Sequence, residues 1–490
     1  MQNEHQLAAL AVETAERLGA SYADARFVEV EQEDLTLHNG VLDRSSLQEE
    51  RGLGVRVLVD GAWGFAAAAG DEESAPEELA KRATDAARAL AAARRRPVEL
   101  APGDAPGGGL ESGEWRTPVI EDPFGLSLAD KVGFLQDVDR AMRDQPGDEA
   151  IVARDVSLGL RRERQHFVAS GGVQQYQELV RSGAGLSATA AKDGAVETRS
   201  YPASFGGNYR SAGFEFVRSL GLEEHGARVV SESLQLCEAP VCPAGERDLI
   251  LMGNQLMLQI HESVGHPNEL DRVFGHEVDL AGDSFATTDK LDGFQYGSDI
   301  VNLVADSTVD GGLDTRGWDD DGIRSDAFHV VENGVFKGYH TSREWAGAIG
   351  DPKSRATNRA EGWYNPPIIR ITNLSLMPGT WKLDDLIADT EDGVLCDTVK
   401  MWSIDQRRLN FQFTTELGWE IKDGKKVRMV RRPTYQGSTP EFWRSCDAIC
   451  DADHFTLWGV PNCGKGNPMQ VAEMSHGAAP ARFRKQTFVV

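Results

Sequence analysis

Turn dipeptides recur along this chain and constrain its fold more than any other feature. His38-Asn39-Gly40, Asp60-Gly61, Gly171-Gly172, Asn333-Gly334, Asp392-Gly393 and Asp423-Gly424 each lie beside short runs with strand character. Asn-Gly and Asp-Gly readily take the positive φ that close hairpin turns need, so the pattern predicts antiparallel sheet. Helical patterns are fewer. Residues 1–20 place Leu7, Leu10, Val12, Ala15 and Leu18 on one side, and a second helix is predicted over 75–95 with Pro76 in its first turn. A third starts after Ser127, a candidate N-cap with Asp130 three residues on, and runs to about Arg143. A fourth covers 222–236. Helices and strands cluster rather than alternate, which predicts an α+β fold.

At 490 residues the chain exceeds one ordinary domain. We expect an N-terminal α+β unit at 1–96, a linker or mobile loop at 97–118, a central α+β unit at 119–238 and a larger β-rich C-terminal domain at 239–490. The 97–118 stretch contains APGDAPGGGLESG, which offers too little apolar surface to order itself. With 40% hydrophobic and 26% charged residues the composition is that of a soluble globular protein. No apolar run is long enough to span a membrane. The N-terminus carries acids where a signal peptide has basic residues, so a cytoplasmic location is expected. The net charge of −26 would repel nucleic-acid phosphates and anionic membranes, and neither is expected as a partner. Six cysteines are too few for a disulfide scaffold. The acids of Asp310-Gly311-Gly312 and Asp319-Asp320-Asp321-Gly322 do not alternate as in a calcium loop, which predicts exposed turns.

The chemistry concentrates after an apolar strand at 248–252. Gly253-Asn254 supplies a turn and an N-cap, and residues 255–266 are predicted helical, ending in His261-Glu262-Ser263-Val264-Gly265-His266. Two imidazoles and a carboxylate on one element are the raw materials of a hydrolytic zinc site. The familiar HExxH pattern puts both histidines on one helix face. Here the spacing is i, i+5, which separates them by roughly 140° around a regular helix of 3.6 residues per turn. A π-type turn restores a shared face. Gly265 permits it and Pro267 stops a regular continuation. We therefore expect a distorted helix end here. The bland alternative has one histidine capping the helix with Glu262 solvated.

A catalytic zinc site wants three protein ligands and an open position. Glu269, Asp271, His276 and Glu277 are near in sequence, while Cys446, Cys450, His454, Cys463 and His476 are distant. Cys446, Cys450 and His454 would share a face if helical and could form a separate structural site with Cys463. Cys463 lies in the turn-forming stretch Val460-Pro461-Asn462-Cys463-Gly464-Lys465-Gly466, where Lys465 could help hold a thiolate.

An HExxxH motif on a helix after an apolar strand, followed late by Cys463-Gly464-Lys465, resembles the TldD/PmbA peptidases, and specifically the TldD-type subunit. Further similar stretches are 43–58, Trp63-Gly64-Phe65-Ala66, 332–339, Ile371-Thr372-Asn373 and Met377-Pro378-Gly379, so the likeness spans nearly the whole chain. Pro267-Asn268-Glu269-Leu270 departs from the family pattern, and Cys446 and Cys450 are not part of its signature. The resemblance implies a zinc metallopeptidase with one Zn²⁺ per chain on His261, His266 and Cys463, and with Glu262 as general base. It also implies peptide or unfolded polypeptide substrates and a homodimer or a heterodimer with a TldE-like subunit. Such a ligand set leaves the ion a net +1, as in a His2Glu hydrolase. The competing expectations are a non-catalytic partner subunit of a TldD/TldE-like complex and a zinc amidohydrolase acting on a modified small peptide. Tyr339, His340, Arg355 and Tyr364 are polar candidates for stabilising an oxyanion.

Overall fold

The computed structural model describes residues 2–70, 75–94, 96–278 and 282–490. Four long strands, Tyr22–His38, Val41–Val59, Ile151–Ala169 and Val173–Lys192, form the spine of an eight-stranded sheet. Ala62–Ala69 lies at one edge, and Gly113–Arg116 pairs in parallel with Val173–Lys192 at the other. The sheet joins the first part of the chain to the second, because Tyr22–His38 pairs with Ile151–Ala169 without a break from Asp24↔Ala169 to His38↔Asp155. The short runs with strand character before Asn39-Gly40 are thus one strand. Cross-strand pairs such as Arg162–Glu31 at 3.3 Å and Arg161–Gln32 at 3.2 Å carry it through its polar middle.

Strand side chains alternate between faces, and the alternation sorts the sheet. One face bears two apolar cores. The helices Gln2–Arg17 and Ala75–Ala91 cover Phe27 and Val55 with Leu7, Val12 and Leu79. The helices Leu128–Met142 and Leu222–Glu238 cover Leu35, Val156 and Leu186 with Val138 and Val229. Ser127 is the N-cap, its Oγ accepting from the Asp130 N–H at 3.2 Å. The second helix stops at Ala91, short of the predicted Arg95, which lies outside the described residues.

The opposite face presents buried Asp24, Arg26, Arg56, Gln165, Gln177 and Arg181 to the segment 313–325. Arg56 donates to Asp24 at 2.8 and 2.9 Å and to Asp321 at 2.8 Å, and Gln165 donates to Asp320 at 2.9 Å. The predicted exposed turn at Asp319-Asp320-Asp321 is therefore wrong, since none of the three is more than 2% exposed. Guanidinium groups from the sheet, with backbone N–H groups of 321 and 323 on Asp319, make their burial affordable.

In the C-terminal part, pairing runs from Asp392–Ile404 to Gly245–Leu251, Ala481–Val489, Thr434–Ser438 and Asn410–Lys422, then back to Asp392–Ile404. Five strands thus close a ring. Asp392-Gly393 opens a strand of this ring rather than making a turn, with Gly393 opposite Asp248. Against the ring packs the short helix Gly253–Ile260, with all eight residues buried. Its Leu256 and Ile260 share a core with Leu249, Leu251, Phe413, Tyr435 and Phe483. A helix enclosed on every side needs no polar face. It carries Gln255 and Gln259, and both meet the Tyr435 hydroxyl, at 3.0 and 3.2 Å. The hairpin Thr456–Lys465 and Gln470–Ala478 completes the surroundings of this helix.

Candidate metal centre

Met252 is extended and the helix begins at Gly253. A Cβ there would come within 2.8 Å of Ala478 O and 2.7 Å of Trp458 Nε1, so glycine lets the hairpin seat closely. Asn254 is not the N-cap; its amide instead donates to Thr398 Oγ1 at 2.8 Å. At the other end the predicted distortion is present. His261–Gly265 forms a π turn in which the His266 N–H reaches back to His261 O, five residues away. The two imidazoles share one side, with ring centroids 4.8 Å apart and planes at 83°.

The hairpin supplies the sulfur. Its register shifts between Val460 and Cys463, leaving Pro461 and Asn462 out of the ladder. Such a bulge re-aims the following side chain. Cys463 Sγ lies 3.4 Å from His266 Nε2, and one donor atom from each of His261, His266 and Cys463 lies within 4.8 Å of the others. Zn–N and Zn–S bonds of about 2.0–2.3 Å separate tetrahedral donors by roughly 3.3–3.7 Å. Two neutral imidazoles and a thiolate at this spacing fit a zinc ion. Among the described residues these three are the cluster able to hold one.

The outer nitrogens set the tautomers. His476 Nδ1 meets Leu374 O, an acceptor, at 2.9 Å. That nitrogen therefore carries the proton, and His476 Nε2 accepts from His261 Nδ1 at 2.8 Å. His266 Nδ1 donates to Glu269 Oε2 at 2.9 Å. Each ligand ring is left with its Nε2 lone pair available, the orientation that outer partners give metal-bound histidines. Burial pushes the pKa of His261 and His476 down, which keeps both neutral. Burial pushes the Cys463 thiol up, but His266 and Arg370 outweigh it and the net direction is down, toward thiolate.

Comparison with known proteins shows the family. Residues 23–89, 121–234 and 245–477 match domain 1, the central domain and the C-terminal domain of the PmbA/TldA metallopeptidases. The chain belongs to the PmbA/TldD metallopeptidase family. A metalloprotease of Methanocaldococcus jannaschii is 28% identical over 91% of this chain and 92% of its own length. A zinc metalloprotease TldD homolog of Saccharolobus solfataricus is 24% identical over 40% of this chain and 42% of its own. The solved structure of TldE from Thermococcus kodakarensis shares the fold, with a TM-score of 0.75, 16% identity and coverage of 98% of this chain and 99% of that one.

In this member of the PmbA/TldD family Glu262 lines the same cavity of about 260 Å³ as the three candidate donors. Arg408 Nη1 donates to Glu262 Oε2 at 2.6 Å. Burial raises the Glu262 pKa, yet His266 and Arg408 outweigh it and hold the carboxyl below its ordinary range. The remaining candidates lie apart from the donors. Glu269 supports His266. Asp271 binds Lys465 Nζ at 2.7 and 2.9 Å, so the lysine serves Asp271 and Glu269 rather than the sulfur. His276 is exposed against Trp345, and Glu277 accepts from the Gly466 N–H at 3.3 Å. Cys446 sits on the strand Cys446–Ile449, so the helical face imagined for Cys446, Cys450 and His454 does not exist. His454 bonds Asp451 at 2.8 Å, and burial pushes the Cys450 thiol up to about 12. Tyr339, His340, Arg355 and Tyr364 do not line the cavity. Arg408, Arg370 and the bond between His261 and His476 had no local signal in the sequence. They come from positions 93 to 215 residues away from their partners.

Proposed function

We propose that this chain is a zinc-dependent peptidase of the HExxxH type, with one zinc per chain held by His261, His266 and Cys463. The supporting observation is the convergence of these three donors, from a π turn and a distant hairpin, beside Glu262 in one cavity. When bound, the ion supplies Lewis acidity that activates water and polarises a carbonyl. Glu262 is the general base. It takes the proton of the attacking water and passes it to the amine nitrogen as the C–N bond breaks. The Nε2 atoms are kept free for the ion by His476 and Glu269. The cavity holds about 260 Å³, and Phe205, Met257, Val399 and Trp402 on its wall would exclude bulk water from an extended chain. This favours peptides and unstructured segments over folded proteins.

Purified protein should contain close to one equivalent of zinc and cleave unfolded peptides. Glu262→Gln should keep the metal and lose roughly 10²–10⁴-fold in kcat, the usual contribution of a general base. Full activity in a metal-loaded Glu262→Gln protein would refute that role, and preferential hydrolysis of a small modified amide would move the assignment to an amidohydrolase. A cytoplasmic location and pairing with a second copy or a TldE-like subunit belong to the same proposal. Size exclusion of the protein expressed alone separates the two dimers. Among the described residues no helix is long and apolar enough to cross a membrane.

A further inference from the structure

Peptide hydrolysis places negative charge on the carbonyl oxygen, and a donor aimed at that charge is usually a large part of catalysis. Tyr339, His340, Arg355 and Tyr364 are away from the cavity, whereas Arg408 lines it. We propose that Arg408 is the catalytic residue that donates to the developing oxyanion. This rests on the peptidase assignment above.

Three observations carry it. Among the described residues lining the cavity, Arg408 is the lysine- or arginine-type cation. A guanidinium has five N–H donors. Nη1 is committed to Glu262, but Nε is buried and among the described residues has no hydrogen-bond partner. An unpaired donor on a side chain that lines the cavity beside the base is a position awaiting an acceptor. The third observation is the backbone. Arg408 sits at φ +60°, a left-handed conformation uncommon for residues other than glycine. It lies in the turn between Asp392–Ile404 and Asn410–Lys422. The turn is held by the Arg408 N–H on Asp405 O at 2.9 Å, by the Leu409 and Asn410 N–H groups on the Asp405 carboxylate at 2.9 and 3.0 Å, and by Thr439 Oγ1 on Arg408 O at 2.8 Å. A disfavoured conformation fixed this firmly at a site delivers a preset side chain. Trp402, on the same hairpin, also lines the cavity.

The step balances. Water oxygen bonds to the carbonyl carbon, its proton passes to Glu262, and the C=O π pair moves onto oxygen, where Arg408 donates. The π bond then re-forms, the C–N bond breaks, and Glu262 returns the proton to nitrogen. Products are a carboxylic acid and an amine.

The test compares Arg408→Gln and Arg408→Lys with the native protein, all checked for unchanged zinc content and melting temperature. Arg408→Gln should lose about 10²–10³-fold in kcat with KM within about threefold, and Arg408→Lys should fall between. A phosphinic peptide, a tetrahedral mimic, should bind Arg408→Gln weaker by a comparable factor in calorimetry, while the cleaved product peptide binds unchanged. Arg408→Gly, which suits the positive φ, should regain activity with millimolar methylguanidinium. Unchanged kcat in Arg408→Gln, or equal losses for the phosphinic and product peptides, would overturn the proposal while leaving the peptidase assignment intact. Native protein without metal-dependent cleavage would overturn both.

Discussion

Each histidine of the metal centre has its outer nitrogen committed, His261 to His476 and His266 to Glu269. Neither partner is one of the three donors, and neither lines the cavity. Removing either leaves the ligands in place but free to turn. Expected for His476→Ala and for Glu269→Gln is zinc affinity weaker by about 10–100-fold, read by competition with a chelator, with the fold retained. Cys463→Ser removes a ligand outright and should abolish stoichiometric zinc. If His476→Ala bound zinc as tightly as the native protein, the bond to His261 would have no part in setting the ring. The three donors were legible because their residue types and the late Cys-Gly-Lys stand out along the chain. Their supports were not. His476 and Glu269 were visible only as candidate ligands, because a tautomer is fixed by hydrogen bonds that form only in the folded chain. Lys465 shows the converse error, since proximity in sequence suggested the sulfur and geometry gave it two carboxylates.

The π turn is the element on which the centre depends, and the i, i+5 spacing alone required it. Its local cause is legible in part. Gly265 is obligatory less for freedom of φ, which is −60°, than for space. A Cβ would meet Ile371 Cδ1 at 2.7 Å, Cγ2 at 3.1 Å and Cγ1 at 3.2 Å. Ile371 is fully buried, so its side chain has nowhere to retreat. Gly265→Ala should cost roughly 1–3 kcal/mol by overpacking, and should weaken zinc binding as the turn shifts. Adding Ile371→Ala should recover the zinc affinity, and the double-mutant cycle gives the coupling. Additive losses would mean that the methyl group does not act through Ile371. The strand elements were harder to delimit. Their turn dipeptides marked most hairpins, but the 17- to 20-residue strands were broken into short runs where acidic residues interrupt the apolar pattern. Cross-strand arginines accept those acids, and no single strand reveals its neighbour's charges.

Over the whole molecule the α+β class was visible in clustered patterns, whereas the closed ring was not, because closure is a property of pairings between strands up to about 240 residues apart. The contact between the two sheets was equally hidden. Arg199, on the strand Ala195–Tyr201 of the first sheet, meets Glu232 at 2.7 Å and, on the ring, Asp397 at 2.5 Å and Glu416 at 3.4 Å. One guanidinium cannot neutralise three carboxylates, and Glu416 is the one whose pKa is pushed up. Burial raises its pKa to about 7, against the partial compensation of Arg199 and two hydrogen bonds from Ser200. A carboxyl whose folded pKa lies above its unfolded value stabilises the fold fully below the unfolded value, and that contribution is lost as pH rises through about 7. A shift of this size corresponds to at most about 3 kcal/mol. The melting temperature should therefore fall from about pH 4.5, the ordinary glutamate value, to about pH 7 and level off above it. In Glu416→Gln, whose amide keeps the size of the protonated acid but cannot ionise, that fall should be smaller. Its stability at the alkaline end should equal or exceed that of the native protein. Thermal unfolding of both proteins across this range decides the matter, since parallel curves would show that Glu416 is already ionised at the junction of the sheets.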